Sequence, residues 1–361
     1  MTDTIHVVEP TLINQTGHCY SFIDSFCRSS GGAPLTIWAN RNAEVTFAVK
    51  NVEAKRHFSS KLRRLQSYFL YKRLLAGSGK IFVSTATFAD LVLMKWAAKG
   101  AIPEGKAYFY IHWLKPTAKK RVFLAKLATQ QPNLVILGPT PSVIDAFKQA
   151  GFKNAHVVPY PISGLVQNTG AGQDQFTGLL YAGAARQDKG ISQVVDLIAH
   201  MDELHLDIPV KLQNSPDHRG KYDDATRMDM ERLESITYPY MRLFPETLSA
   251  EEYAKIFAGA ICIQLYNTKD FADRISGVTL DALSAGSPIV TTAGTWIARM
   301  VRRFDAGIVV DSTAPESVLA AIQAIMRDFS RYNENAYKAG LALQQENSAD
   351  ILFKTIAGMK G

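Results

Sequence analysis

Cysteine is scarce in this chain of 361 residues, with Cys19, Cys27 and Cys262 the only three. Cys19 and Cys27 read as members of one helix, where eight residues at ~1.5 Å rise separate them by ~12 Å, beyond disulfide reach. Cys262 is isolated, so neither a disulfide framework nor a zinc site is indicated. No apolar run approaches the ~20 residues of a membrane span. The opening MTDTIHVVEP lacks the basic-then-apolar order of a secretion leader, which makes the cytoplasm the expected compartment. Short-period solenoid repeats are missing as well. Acids are absent between Glu53 and Asp90, whereas Lys55, Arg56, Lys61, Arg63, Arg64, Lys72 and Arg73 all fall there.

What is present is a 47% hydrophobic chain, enough for two cored domains, with a formal charge of +7 that favours an acidic partner. Nucleotide sugars, anionic lipid head groups and nucleic acid all qualify, but no helix-turn-helix, zinc or RNA-binding signature accompanies the charge, so no nucleic acid is expected. Short apolar runs alternate with helical periodicity. In the first half, strands are expected at Thr4 to Val8, Leu35 to Ala39, Thr46 to Val49, Ile81 to Ser84, Ala107 to Ile111 and Leu134 to Leu137. Val157 to Ile162 is a last extended piece. The basic stretch Glu53 to Leu75 has a helical pattern, stopped by Gly77 and Gly79, and Thr140-Pro141 opens a further helix.

A second alternating series is expected at Gly178 to Ala182, Val210 to Gln213, Met241 to Phe244, Ile261 to Tyr266, Pro288 to Thr292 and Gly307 to Asp311. Ser249 with Glu252, and Thr313 with Glu316, are spaced as capping boxes. The fold class is therefore α/β, two doubly wound Rossmann-like domains. Their expected bounds are 1–162 and 177–330, joined by a Gly/Gln/Asn-rich linker at 163–176, with a helical tail at 331–361.

Two stretches of the second half carry chemistry. After Tyr181-Ala182-Gly183 come Arg186 and Lys189-Gly190, cations at a strand's carboxyl end, where open α/β sheets place ligands. Further on, Asp273 to Pro288 reads DRISGVTLDALSAGSP between two strands. Ser276 and Gly277 stand where its helix opens, so unpaired N–H groups and the positive dipole end make an anion site. Asp273 lies before that helix, and Asp281, seven residues intervening, lies on it. In the first half, His112 follows the run Ala107 to Ile111 at a strand's end, and His18 follows Gly17 in the first loop.

The two spaced acids followed by Ala285-Gly286-Ser287-Pro288 resemble the signature of the retaining GT-B glycosyltransferases of the glycogen-synthase-like group, GT4, which is Glu-x7-Glu followed by Ala, Gly and Pro. Here both glutamates are aspartates, and the usual Gly-Phe-Gly after the first acid reads Arg274-Ile275-Ser276. The resemblance implies two Rossmann-like domains facing across a cleft, with the tail crossing back to the first. It also implies that Arg186 and Lys189, with the N–H groups at Ser276 and Gly277, bind the donor's diphosphate. Asp281 would accept hydrogen bonds from the ribose, and Asp273 and His112 would position the transferred sugar. Gly17 and His18 are further candidates for an acceptor or phosphate contact.

The activity so implied is a metal-independent retaining transfer of a sugar from UDP- or GDP-sugar to a hydroxyl acceptor, in polysaccharide or glycolipid assembly. No cofactor is expected beyond the donor itself. No Asp-x-Asp pair ends a strand: Asp223-Asp224 is adjacent, and Asp270 and Asp273 are spaced differently. The basic segment Lys55 to Arg73, interleaved with Phe58, Leu62, Leu65, Phe69 and Leu70, suggests attachment to the anionic inner membrane face. Two alternatives stand beside this reading: a nucleotide-sugar-binding protein without turnover, and a sugar epimerase on the same fold.

Overall fold

The computed structural model describes residues 4–15, 17–114, 116–161, 175–217 and 220–358. It divides into two compact units, Met1–Ser163 with Glu346–Gly361, and Gly164–Gln345.

In the first unit the elements run β1 (Ile5–Val8), α1 (Gly17–Arg28), β2 (Leu35–Asn40), β3 (Val52–Phe58), α2 (Arg63–Ala76), β4 (Lys80–Val83), α3 (Phe88–Ala97), β5 (Ala107–Tyr110), α4 (Ala118–Gln130), β6 (Val135–Gly138), α5 (Pro141–Gln149) and β7 (Ala155–Val157). Among the described residues they form a seven-stranded sheet in the order β3-β2-β1-β4-β5-β6-β7, every pairing parallel. Helices on both faces bury two hydrophobic clusters. One is built on Leu70, Leu74, Phe109 and Phe147, the other on Phe22, Phe26, Phe82 and Tyr110. Strands covered on both faces must be apolar throughout, which is why the short runs at Ile81 and Ala107 are legible as strands.

Two expectations fail at the edge of this sheet. Residues 46–49 form no strand, and the basic segment is not one helix. Its first part is the edge strand β3, carrying Lys55 and Arg56, and α2 begins only at Arg63. The physical reason is tertiary. β3 pairs in register with β2, Trp38 opposite Lys55, and an edge strand with an exposed face needs no apolar alternation of its own.

The second unit runs β8 (Gly178–Tyr181), a 3₁₀ turn (Gln187–Lys189), α6 (Ile191–Glu203), β9 (Val210–Gln213), α7 (Asp224–Ser235), β10 (Met241–Phe244), α8 (Ala250–Ile256), β11 (Ala260–Gln264), α9 (Thr268–Phe271), α10 (Gly277–Ser284), β12 (Ile289–Thr292), α11 (Trp296–Phe304), β13 (Gly307–Val310), α12 (Pro315–Arg327) and α13 (Phe329–Glu346). Its sheet is also parallel, in the order β10-β9-β8-β11-β12-β13. The order reverses between β8 and β11, a topological switch point of the kind where such sheets bind ligands.

The Ser249–Glu252 capping box forms with both arms present. The one expected at Thr313 does not. Pro315 occupies the first turn of α12 and Ala314 becomes the N-cap, its N–H bonded to Ser312 Oγ at 3.2 Å. The segment belonging to the first unit at the C-terminus starts at Glu346 rather than Arg331, because α13 packs Phe329 and Tyr332 into the second unit's core. Helix α14 (Ala349–Ala357) buries Leu352, Phe353 and Ile356 against Phe26, and Lys80 Nζ caps its end through the Ile356 and Ala357 carbonyls at 2.7 and 2.9 Å. Most of the expected linker, residues 163–174, lies outside the described residues.

Candidate functional site

The loop after β8 is fixed from three directions. Gly183 holds φ at 93°, and its N–H donates to the buried Gln213 Oε1 at 2.7 Å, the side chain that ends β9. Asn267 N–H donates to the Asp188 carbonyl at 3.0 Å, tying the 3₁₀ turn to the chain beyond β11. Gly190 turns into α6 with φ 76°, so close to the next strand that a Cβ would stand 2.2 Å from the Leu265 carbonyl oxygen. Only glycine fits there. This bracing places Lys189 Nζ beside the glycine of the preceding turn: a Cβ on Gly183 would lie 2.9 Å from that ammonium and 3.4 Å from Val278 Cγ2, in the first turn of α10. The two sequence motifs therefore meet.

Lys189 is partly accessible but densely surrounded. Burial lowers its pKa to about 8, with the neighbouring Arg186 adding to the effect and Asp188 opposing it. Arg186 forms an ion pair with Asp188. At the mouth of α10, Ser276 Oγ accepts from the Thr279 N–H at 3.4 Å, and the position of a Gly277 Cβ faces open space. Thr279 Oγ1 in turn donates to the buried Gln264 Oε1 at 2.6 Å, locking the helix start to β11. Asp281 lies one turn along the helix, where Tyr253 Oη donates to its Oδ2 at 3.1 Å. Desolvation raises this carboxyl to about 7, and the tyrosine hydrogen bond only partly offsets it. The helix closes as its sequence suggests, with Gly286 at φ 72° and the Ser287 N–H returning to the Ala282 carbonyl at 2.8 Å.

Asp273 turns its carboxylate to Arg299 on α11, at 2.5 Å, while the same guanidinium donates to the Ala272 carbonyl at 2.7 Å. It is held three residues before the Ser276 N-cap by this partner from α11.

The fold has known counterparts. No protein-family model matches the chain and no curated protein matches it. Among solved structures, the chain is similar to WaaG, a glycosyltransferase involved in lipopolysaccharide biosynthesis, at 12% identity over 98% of this chain and 100% of that one, with a TM-score of 0.70. It is similar to HepE from Anabaena in complex with UDP-glucose, at 12% identity, 99% and 98% coverage and a TM-score of 0.70. A trehalose-6-phosphate enzyme structure from E. coli, bound with UDP-2-fluoro glucose, matches at 11% identity, 98% and 99% coverage and a TM-score of 0.69. This chain has the GT-B fold.

In this GT-B chain, Arg186, Lys189, Ser276, Gly277 and Asp281 come together within the second unit. His112 belongs to the first. It follows β5, half-buried, with Nε2 2.9 Å from the Ser84 carbonyl oxygen, and its ring contacts Phe22, Tyr110 and Tyr160 at centroid distances of 5.5, 5.1 and 5.3 Å. Gly17 opens α1, while the side chain of His18 lies outside the described residues.

Several residues at these positions carried no sequence signal. Tyr253, Arg299 and Gln264 reach the site from other elements and are found only in three dimensions. Glu9 is another: fully buried at the end of β1, its carboxylate accepts from Thr11 Oγ1 at 2.5 Å, Ser84 Oγ at 2.7 Å and Thr85 Oγ1 at 2.6 Å, fixing the loop whose carbonyl meets His112. Arg274 and Asp188 did have a signal, an acid inside the Arg-x-x-Lys-Gly run and a cation beside Asp273.

Proposed function

We propose that this chain is a glycosyltransferase that moves a sugar from a nucleoside diphosphate to a hydroxyl acceptor. One observation carries the reading: two cations from the loop after β8 and an open helix mouth with Asp281 one turn along it converge at the switch point of one sheet. That arrangement suits a diphosphate with a ribose beside it. Cations and oriented N–H groups would stabilise the leaving nucleoside diphosphate as its charge develops. Asp281 would accept from the ribose hydroxyls, and Asp273 and His112 would orient the sugar, so that acceleration comes from positioning and preorganised charge without a required metal.

UDP is the first donor base to test, since the HepE and E. coli structures bind UDP-sugars. Retention at the anomeric carbon, an acceptor in polysaccharide or glycolipid assembly, and a GT4-like classification complete the proposal. Incubation with a panel of UDP- and GDP-sugars should show slow donor hydrolysis, with NMR reporting the same anomeric configuration in the first-formed sugar. Tight donor binding without hydrolysis, and without transfer to any acceptor, would refute turnover.

A place at the cytoplasmic membrane face belongs to the same proposal. No helix among the described residues is long and apolar enough to cross a membrane. The basic region spans β3 and α2 of the first unit, and α2 exposes Leu65 and Phe69 on one side while burying Leu70, Tyr71 and Leu74 on the other; Leu62 at its N-cap is 56% exposed. Cations around an exposed apolar stripe suit an anionic bilayer. Sedimentation with vesicles should show binding to anionic but not neutral lipid, weakening as salt rises. Equal partition onto both would refute it.

A further inference from the structure

We propose that Arg274 is a third cation for the donor's diphosphate, and that Asp188 is the resident counter-ion holding it beside Arg186 until the diphosphate arrives. The inference rests on the proposed reading for the identity of the ligand, but its geometry stands alone.

Asp188 Oδ2 pairs with Arg186 Nη2 and lies 3.5 Å from Arg274 Nη1, so one carboxylate oxygen serves two guanidinium groups. The other oxygen, Oδ1, is buried and has no hydrogen-bond partner. An acid bound this unevenly is a weak structural anchor, because half of its acceptor capacity is spent on nothing. Arg274 is also steered by an aromatic face: its guanidinium carbon sits 4.8 Å over Phe271, which packs edge-on against Tyr266 at 4.6 Å. Lys189 Nζ lies 5.9 Å over the same Tyr266 ring. A single aromatic pair therefore sets the spacing of Arg274 and Lys189, and Arg274 precedes the Ser276 N-cap by two residues.

Burial and the proximity of Arg186 both lower the pKa of Arg274, as expected where like charges are gathered with too few acids. Three cations, Arg186, Lys189 and Arg274, are gathered here, and Asp188 is the acid in direct contact with two of them, with Asp270 acting on Arg274 more weakly. The diphosphate of a nucleotide sugar carries one negative charge on each phosphate, which a gathered set of cations suits. With the ligand bound, the guanidinium groups have a better acceptor than Asp188, since planar forks pair bidentately with phosphate oxygens.

Calorimetric titration with inorganic pyrophosphate, and separately with UDP, tests this in the full chain. Arg274→Gln should weaken both by about tenfold, the low end for a charge-assisted contact because the side chain is about a third exposed. Asp188→Asn, which keeps the shape and removes the negative charge, should tighten both by about threefold to tenfold. Unchanged affinity in Arg274→Gln, or weaker binding in Asp188→Asn, overturns the inference. Wild-type protein that binds pyrophosphate with these variant effects, but neither UDP nor GDP, supports the cation cluster and overturns the nucleotide-sugar reading. Tight UDP binding that Arg274→Gln leaves untouched does the opposite.

Discussion

Arg186→Ala will weaken UDP binding by about 10- to 150-fold, the roughly 1.5–3 kcal/mol of a charge-assisted hydrogen bond. Two effects point the same way. The variant loses a forked donor at the end of β8, and it leaves Asp188, the acid that Arg186 now pairs with, less neutralised beside the incoming phosphates. Arg186→Lys should recover part of the loss, because an ammonium restores the charge but not the bidentate geometry. Titration calorimetry gives the dissociation constants directly, and the specificity constant for donor hydrolysis should fall in parallel. A dissociation constant equal to wild type would remove Arg186 from the diphosphate site and take the donor assignment with it.

Donor affinity will follow a bell-shaped pH dependence with its maximum between about 7 and about 8, set by Asp281 and Lys189. The signs are opposite. Burial raises the Asp281 carboxyl to about 7, so below that value the group is neutral and loses its strength as an acceptor for ribose hydroxyls. Burial and Arg186 lower the Lys189 ammonium to about 8, so above that value it is neutral and no longer attracts phosphate. Each limb should change by up to about tenfold per pH unit, since one proton is linked to binding on each side.

The same shifts act on stability. Raised in the folded state, the Asp281 contribution is complete below the ordinary aspartate range and lost as pH rises through about 7. The lowered Lys189 costs stability below about 8 and recovers as pH rises from there toward the ordinary lysine range. A bound donor supplies partners for both charged groups, so it should raise the melting temperature most in the window between the two limbs. Asp281→Asn should flatten the acid limb and leave the alkaline one in place. A variant that kept both limbs would show that another group titrates there.

The order of strands was largely legible because both faces of a doubly wound sheet are covered. Runs such as Ile261 to Ile263 or Ile289 to Val290 are then apolar on both faces, and they stand out in any sequence. The edge was not legible. Val52 to Phe58 carries Glu53, Lys55, Arg56 and His57, and nothing local separates that pattern from a solvated helix; β2 decides it by offering a hydrogen-bonding edge. Caps divided in the same way. Ser249 and Glu252 form their box, whereas Pro315 at the first turn of α12 moves the start of that helix past Thr313.

At the candidate site, the residue types that could hold a diphosphate were readable from their order along the chain: Arg186 and Lys189 after one strand, Ser276 and Gly277 opening a helix after another. Composition and spacing determined that much, because a strand's end and a helix's start are local events. Charge state and pairing were left to the tertiary structure. Asp281 becomes a weak acid through burial, which the hydrogen bond from Tyr253 on α8 only partly offsets, Asp273 is matched with Arg299 from α11, and Arg274 is gathered to Asp188 across the sheet's switch point. Proton affinities and ion pairs depend on what is packed within a few ångströms, and only the folded chain fixes which residues those are.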